Sequence, residues 1–332
     1  MKPSFLFELS GEHKTMCAAE AVKCIEAECD SFAIESSGPG YVVASFDEKF
    51  LQPIADRISL THRIGRYYGS FGPDETDGFG GIEIPDGTFA VKGKRFEGMM
   101  KDVDSQSIIR KLGGALSKNN DVDLKNPDLE IVMLMSDKIH VFLSQKIIDR
   151  NIMETRKVGE RPFFSPISLH PRFARAAINL TGVKKGEKIL DPFCGTGGIA
   201  IEAAFMGMKP MASDFDEEMI SGTLENMDYY GLEMYDYDVC DISKIQDRFG
   251  EVDAICSDPP YGRSTSTGGE DIESLYARAM KSFEDVLKPG GRVTVVLPHP
   301  MDSGTMALES MYVQRVHGSL SRHYHTFRKQ LL

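Results

Sequence analysis

At 332 residues the chain exceeds what one hydrophobic core usually organises, so two or more domains are expected. A hydrophobic content of 41% with 27% charged residues excludes a disordered or fibrous chain and fits a globular one. The formal net charge of -12 argues against a uniformly basic nucleic-acid binder, though the charge is unevenly spread.

Residues 214–241 hold ten acids and no Lys or Arg. Residues 92–118 hold seven bases against three acids, and residues 156–185 hold seven against one. From residue 311 to the end there are two Arg before Arg328 and Lys329, three His and no acid. A polyanion can dock on such patches while the acidic segment faces away; solvated faces are the alternative. None of the six Cys forms a Cys-x-x-Cys pair and no His cluster completes a zinc pattern, so no metal is expected and a reducing cytoplasmic setting is. No uninterrupted apolar run is long enough for a membrane span, and Glu8 comes too early for a signal peptide.

In chain order, residues 5–9 read as a strand, 17–27 as a helix and 41–44 as a second strand. Residues 57–68 mix apolar and basic side chains. Residues 74–81 are acidic and Gly-rich, which predicts an exposed loop. A strand at 89–92, a helix at 105–116 and a hairpin of 130–135 with 139–143 follow. This half is mixed α+β. Residues 146–160 are polar and read as a linker. Beyond them apolar runs at 188–190, 210–212, 254–256 and 292–297 alternate with helical stretches near 198–207, 217–230 and 272–287. That alternation predicts a doubly wound parallel sheet. Lys288-Pro-Gly-Gly291 reads as a helix stop and turn.

The first chemical motif is Asp191-Pro-Phe-Cys-Gly-Thr-Gly-Gly198, a glycine turn after a strand and before a helix. Gly195 and Gly197 permit positive φ and close approach of the backbone to a ligand. A bare Gly-x-Gly-x-x-Ala pattern also fits a nicotinamide dinucleotide. Asp191 tips the balance, because at a strand end it can accept from an α-ammonium group, which S-adenosylmethionine has and a dinucleotide lacks. Asp214, about 20 residues on, is placed to bridge two ribose hydroxyls. Asp241, after the strand-like run 237–240, is placed to accept from an adenine amine. Either acid alone is as well explained as a helix cap.

The second motif is Asp258-Pro-Pro-Tyr261. An exocyclic amine is a poor nucleophile, since its lone pair is delocalised into the ring. Asp258 and the carbonyl of Pro259 can accept its two hydrogens and draw it toward tetrahedral geometry. Consecutive prolines stiffen the loop, so those acceptors are preorganised. Tyr261 offers a face on which a base can stack.

Together the two motifs resemble the class I, amino-group-directed methyltransferases of RNA and DNA, over residues 191–262. Phe89-Ala-Val-Lys-Gly-Lys-Arg95, the helix holding Lys111-Leu-Gly-Gly114, and Val122-Asp-Leu-Lys-Asn-Pro-Asp-Leu-Glu-Ile-Val132 are similar to a THUMP domain, an RNA-binding module. Residues 161–180 resemble the approach to the catalytic domain in the same enzymes. The whole length is similar to the archaeal tRNA guanine-10 N2-methyltransferase family. The resemblance implies an N-terminal ferredoxin-like domain over residues 1–60, THUMP over 61–145, a linker over 146–160, and a Rossmann-like methyltransferase domain over 161–332. It implies S-adenosylmethionine as cofactor, tRNA as partner, and mono- or dimethylation of guanine N2 at position 10. It also implies that Asp191, Gly195 and Thr196 meet the methionine end of the cofactor, with Phe163 and Ser165 lining that side. Asp214 then meets the ribose and Asp241 the adenine, while Asp258, Pro259 and Tyr261 act on the base. Lys92, Lys94, Arg95 and Lys111 are the expected RNA contacts. Another guanine in tRNA, ribosomal RNA, or an idle RNA-binding role are the alternatives, and the need for a small activator subunit stays open.

Overall fold

The computed structural model describes residues 2–165, 168–262, 270–318 and 320–331. The chain forms two compact units, Met1–Ile148 and Asp149–Leu332.

The first unit runs β1 (Ser4–Leu9), α1 (Met16–Glu28), β2 (Ala33–Gly38), β3 (Tyr41–Ser45), α2 (Leu51–Arg57), β4 (Thr61–Phe71), β5 (Phe89–Arg95), α3 (Ser105–Leu116), β6 (Leu129–Met135) and β7 (Ile139–Ile147). Its strands form one sheet in the order β2-β3-β1-β4-β7-β6-β5. The sheet is antiparallel except for the β5–β6 pair. One sheet thus carries strands from both segments read as separate domains. α3 buries Ile108, Leu112 and Leu116, one stripe at a spacing of four, against Phe89, Ile131 and Met133. Asp104 caps this helix, its side chain accepting from the N–H groups of Gln106 and Ser107.

β4 falls where the sequence mixes apolar and basic residues. The mixture is compatible with a central strand because Arg63 pairs inside the sheet with Glu8 at 2.8 Å and with Glu130. Residues 76–81 form a 3-10 turn that buries Phe79, where an exposed loop was expected.

The second unit runs α4 (Asn151–Glu154), α5 (Pro171–Leu180), β8 (Lys188–Asp191), α6 (Gly198–Phe205), β9 (Lys209–Asp214), α7 (Glu217–Tyr229), β10 (Asp236–Val239), α8 (Ile245–Phe249), β11 (Val252–Ser257), α9 (Ile272–Val286), β12 (Leu287–Leu297), β13 (Ala307–His317) and β14 (Leu320–Arg328). The sheet order is β10-β9-β8-β11-β12-β14-β13. The first five strands are parallel, β14 runs against them, and edge strand β13 pairs antiparallel with β14. The chain winds outward one way from β8 and the other way from β11. Their carboxyl ends therefore flank the crevice where ligands bind in such sheets.

The stretch read as a linker is packed into this unit from residue 149 onward. Met153 and Arg156 are buried, and Arg156 donates to Glu202 of α6 from Nε at 2.7 Å and from Nη2 at 3.0 Å. Lys288-Pro-Gly-Gly291 does not form a free turn. α9 ends at Val286, β12 begins at Leu287, and Gly290 with φ of +77° makes a bulge inside the strand.

Candidate active site

Asp191 ends β8 and is buried. Ser257, the last residue of β11, donates its hydroxyl to Asp191 Oδ1 at 2.7 Å, and the Phe193 N–H donates to the same oxygen at 3.3 Å. Burial, with repulsion from Asp258 and Asp214, pushes the Asp191 carboxyl up to about 7.

In the turn that follows, Gly195 and Gly197 have φ of +51° and +77°, a region that strains any residue with a Cβ. A Cβ on Gly195 would meet nothing within 4 Å, so the backbone there is open to a ligand. A Cβ on Gly197 would stand 2.8 Å from Thr223. Asp214, at the end of β9, accepts from the N–H of Gly195 at 3.1 Å and of Asp216 at 3.2 Å, and burial raises its pKa. Thr196 is buried, and its hydroxyl accepts from Arg161 Nη1 at 3.2 Å. Asn226 of α7 ties the turn to the preceding segment. Its Nδ2 donates to the carbonyls of Thr196 and Phe163, each at 3.0 Å, and its Oδ1 accepts from the Phe163 N–H at 2.9 Å.

Asp258 is half-buried one residue beyond β11. The Tyr261 hydroxyl donates to its Oδ1 at 2.5 Å. Burial pushes the Asp258 carboxyl up to about 6, against the pull of Arg322 and the Tyr261 hydrogen bond. The Tyr276 hydroxyl, from α9, donates to the carbonyl of Pro260 at 2.8 Å and pins the loop.

A cavity of about 280 Å³ opens between the turn and the loop. It gathers Ser165, Asp191, Gly195, Thr196, Asp214, Asp258 and Pro259. Its described lining also includes Asp216 and no Lys, Arg or His. A second cavity of about 190 Å³ adjoins it, sharing Phe193, Phe215 and Pro260 as walls, and holds Asp241 with Arg278. Asp241 accepts from the Ser243 N–H at 2.9 Å and pairs with Arg278. Partial burial raises its pKa, but the hydrogen bonds from Arg278 and Ser243 outweigh that and lower it. Phe163 and Gly197 stand outside both linings; the Phe163 ring packs on Gly222, where a Cβ would approach it to 2.0 Å.

The basic residues of the first unit have mixed surroundings. Lys92 and Lys94 are exposed on edge strand β5, with Lys92 paired to Glu130. Arg95 directs Nη1 to the carbonyls of Met99, at 2.7 Å, and Met100, and Nη2 to that of Val103 at 2.9 Å, holding the chain that leads to α3. Lys111 donates to Thr76 Oγ1 at 3.1 Å. Sequence reasoning passed over Ser257, Tyr276, Asn226, Arg161 and Arg322. Of these only Ser257 had a local signal, as a polar residue in an apolar strand directly before Asp258.

Among the described residues, no three His, Cys, Asp or Glu side chains converge to hold a metal ion, and no helix is long and apolar enough to cross a membrane.

Comparison with known proteins agrees with this geometry. Residues 158–324 match the family described as RMKL-like, methyltransferase domain, and residues 81–143 match the THUMP domain. The chain is 34% identical over 327 residues to the tRNA (guanine(10)-N2)-dimethyltransferase of Methanothermobacter thermautotrophicus, covering 95% of this chain and 96% of that one. It is 37% identical over 287 residues to the protein of the same name from Pyrococcus abyssi, covering 82% and 85%. Among solved structures, TrmN from Thermus thermophilus superposes with a TM-score of 0.54 at 21% identity, covering 98% and 99% of the two chains, which shows the shared fold. SMU.472, a putative methyltransferase complexed with SAH, gives 0.53 at 18% identity with both chains fully covered. On sequence and fold alike, the chain belongs to the THUMP-bearing, RMKL-like methyltransferase family that includes the archaeal tRNA (guanine(10)-N2)-dimethyltransferases.

Proposed function

We propose that the protein transfers methyl groups from S-adenosylmethionine to the N2 amine of guanine in cytoplasmic tRNA, at position 10, up to the dimethylated product. The observation that carries the reading is the first cavity. Its described lining has four carboxylates and no base, and it ends on the Asp258-Pro-Pro-Tyr261 loop. Such a lining repels the phosphates of a dinucleotide and fits a cationic ligand with neighbouring hydroxyls.

S-adenosylmethionine, when bound, supplies an electrophilic methyl on a positively charged sulfur. Asp191 is the partner for the α-ammonium group, and the raised pKa of this carboxyl falls when that cation arrives. Asp214 accepts from the ribose hydroxyls. Gly195 and Thr196 present backbone and hydroxyl to the methionine end, with Ser165 on the same wall. Asp241, in the second cavity, serves the adenine amine, and Phe163 and Gly197 support the turn from behind. Oδ1 of Asp258 is engaged by Tyr261, which leaves Oδ2 to accept one N2 hydrogen while the Pro259 carbonyl accepts the other. Gaining a methyl obliges N2 to lose a proton, and Asp258 Oδ2 is the base placed for it. After one transfer a single hydrogen remains, so the amine must rotate before a second. In the first unit, the THUMP region with Lys92, Lys94, Arg95 and Lys111 holds the tRNA.

The test is nucleoside mass analysis of a tRNA transcript after incubation with labelled S-adenosylmethionine. N2-methylated guanosine at position 10, lost when that base is replaced by adenine, is the expected result. Asp258→Ala should lower turnover at least about 10²-fold with cofactor affinity little changed. N6-methyladenosine, or N2-methylguanosine only at another position, would falsify the site assignment.

A further inference from the structure

The basic C-terminal stretch has no part in the chemistry described above, and the fold brings it to the catalytic end of the second unit. Ser257, the last residue of β11, pairs with Val295 of β12, so Asp258 falls at the level of Val296. Val296 pairs with Tyr324 of β14, and Tyr324 with Tyr312 of β13. β12 ends at Leu297, beside His323. The β13–β14 hairpin runs on past that end, and Arg315 there pairs with Ser321. Arg315 thus lies three residues beyond the level of Asp258 and three strands to its side. That is about 10 Å along the strands and about 14 Å across them.

The Arg315 side chain is exposed and makes no ion pair or hydrogen bond among the described residues. Its neighbours differ. Arg292 and Arg328, at the opposite end of the same strands, share Glu309, and Arg322 gives Nη2 to the Ser168 carbonyl at 3.3 Å. His317, also exposed, closes β13 beside Arg315. Residues 311–332 contain no acid in a chain whose net charge is -12. Nothing in the fold uses the Arg315 charge, yet the strand order holds it at the mouth of an acidic site. A cation so placed attracts an anion that must come to that mouth.

We infer that the tip of the β13–β14 hairpin is a second tRNA contact, made by the methyltransferase unit itself: Arg315, with His317, holds a backbone phosphate close to the base being methylated. The inference rests on the reading of tRNA as the substrate. A phosphate suits the place better than a base edge, because a guanidinium on an exposed edge strand has no pocket around it to fix a base. Such a contact carries no sequence information. It sets the angle at which the RNA comes to the Asp258-Pro-Pro-Tyr261 loop. The exposed Val313 and Val316 beside Arg315 would suit a protein partner instead, and the test separates the two.

The test uses the whole protein and a tRNA transcript, with binding followed by fluorescence anisotropy across a salt series. The parent is compared with Arg315→Gln, Arg315→Glu and Lys281→Glu. Lys281 is exposed in the later half of α9, about 14 Å along the helix from its start at the catalytic end. Lys281→Glu therefore makes the same change in net charge away from the hairpin. Arg315→Gln should weaken tRNA binding several-fold and lower the slope of log affinity against log salt by about one. Arg315→Glu should weaken binding about tenfold or more, while Lys281→Glu stays within about twofold of the parent. In the Arg315 variants the loss should appear in the KM for tRNA more than in kcat, with Tm and the KM for S-adenosylmethionine unchanged.

Parental tRNA affinity and salt slope in both Arg315 variants overturn the inference and leave the face to a protein partner. An equal loss in Arg315→Glu and Lys281→Glu overturns it too, because net charge alone would then be at work. A fall in Tm together with cofactor affinity would show Arg315 to be structural. A parent protein that binds no tRNA overturns the substrate reading, and this contact with it.

Discussion

Asp191, Asp214 and Asp258 converge on one cavity whose described lining offers no basic side chain, so ionisation of the buried Asp191 is opposed until a cationic ligand arrives. The consequence for stability follows from proton linkage. The unfolded chain releases this proton near pH ~4, whereas the folded, ligand-free protein holds it up to about 7. The folded state therefore binds the extra proton between those values. Its contribution to stability is complete below the unfolded pKa and is lost as pH rises through the folded one. Asp191→Asn, which keeps the size and removes the charge, should stabilise the ligand-free protein at about pH 8 by on the order of 1–3 kcal/mol and change it little below about pH 4. Urea denaturation at the two pH values measures this. An equal gain at both would show that charge is not the source. Cofactor affinity should fall in the same variant, because the role proposed for Asp191 needs the charge that the fold resists.

The glycine turn is held in place by elements on either side of it, and Asn226 of α7 is the hinge pin. It bonds Phe163 twice and Thr196 once. Asn226→Ala leaves those backbone groups without their partner in a buried place, which should reduce stability by about 1–3 kcal/mol. It should also weaken binding of S-adenosylhomocysteine several-fold by freeing the glycine turn from the segment that precedes it. Calorimetry and thermal unfolding test the two effects together. Full ligand affinity in a destabilised variant would show that the turn keeps its shape without α7. Asn226 could not be picked out from sequence, since its partners lie 30 and 63 positions away and its own helix is an ordinary polar one. Asp191, Asp214 and Asp258 were legible because each ends a strand or follows one, and strand ends repeat at regular intervals in a doubly wound fold. Tyr276 and Arg322 were not, because α9 and β14 come to the site only through the strand order. The β13–β14 hairpin also escaped notice. Its outer strand buries almost nothing, so no apolar alternation marks it. β4 was hidden by Arg63, whose partners Glu8 and Glu130 are far off in sequence.

At the scale of the molecule, chemistry and most of the RNA grip are assigned to different compact units, and that division can be cut. The cut belongs at residue 149 and not at 161. Glu202 is buried between Arg156 and Arg175, and a fragment beginning at 161 removes Arg156 and leaves half of that charge arrangement. Breaking a buried ion pair from one side is worth about 3–5 kcal/mol of destabilisation. A fragment of residues 149–332 keeps both arginines and every cavity residue, so it should fold and bind S-adenosylhomocysteine with the affinity of the whole protein. It should bind tRNA far more weakly, because the exposed Lys92 and Lys94 and the THUMP sheet are gone. For the whole protein, tRNA affinity should fall steeply as salt is raised, since each phosphate neutralised by a Lys or Arg releases a counterion. The slope should be shallower for Lys94→Gln by about one phosphate contact if that side chain touches the backbone of the RNA. The net charge of -12 makes this demanding, because long-range repulsion weakens with salt and opposes the same slope. A steep negative slope therefore means local basic contacts strong enough to prevail over the acidity of the chain. Equal tRNA affinity for fragment and whole protein, or binding that does not respond to salt, would remove the first unit from RNA recognition and return the task to the methyltransferase unit alone.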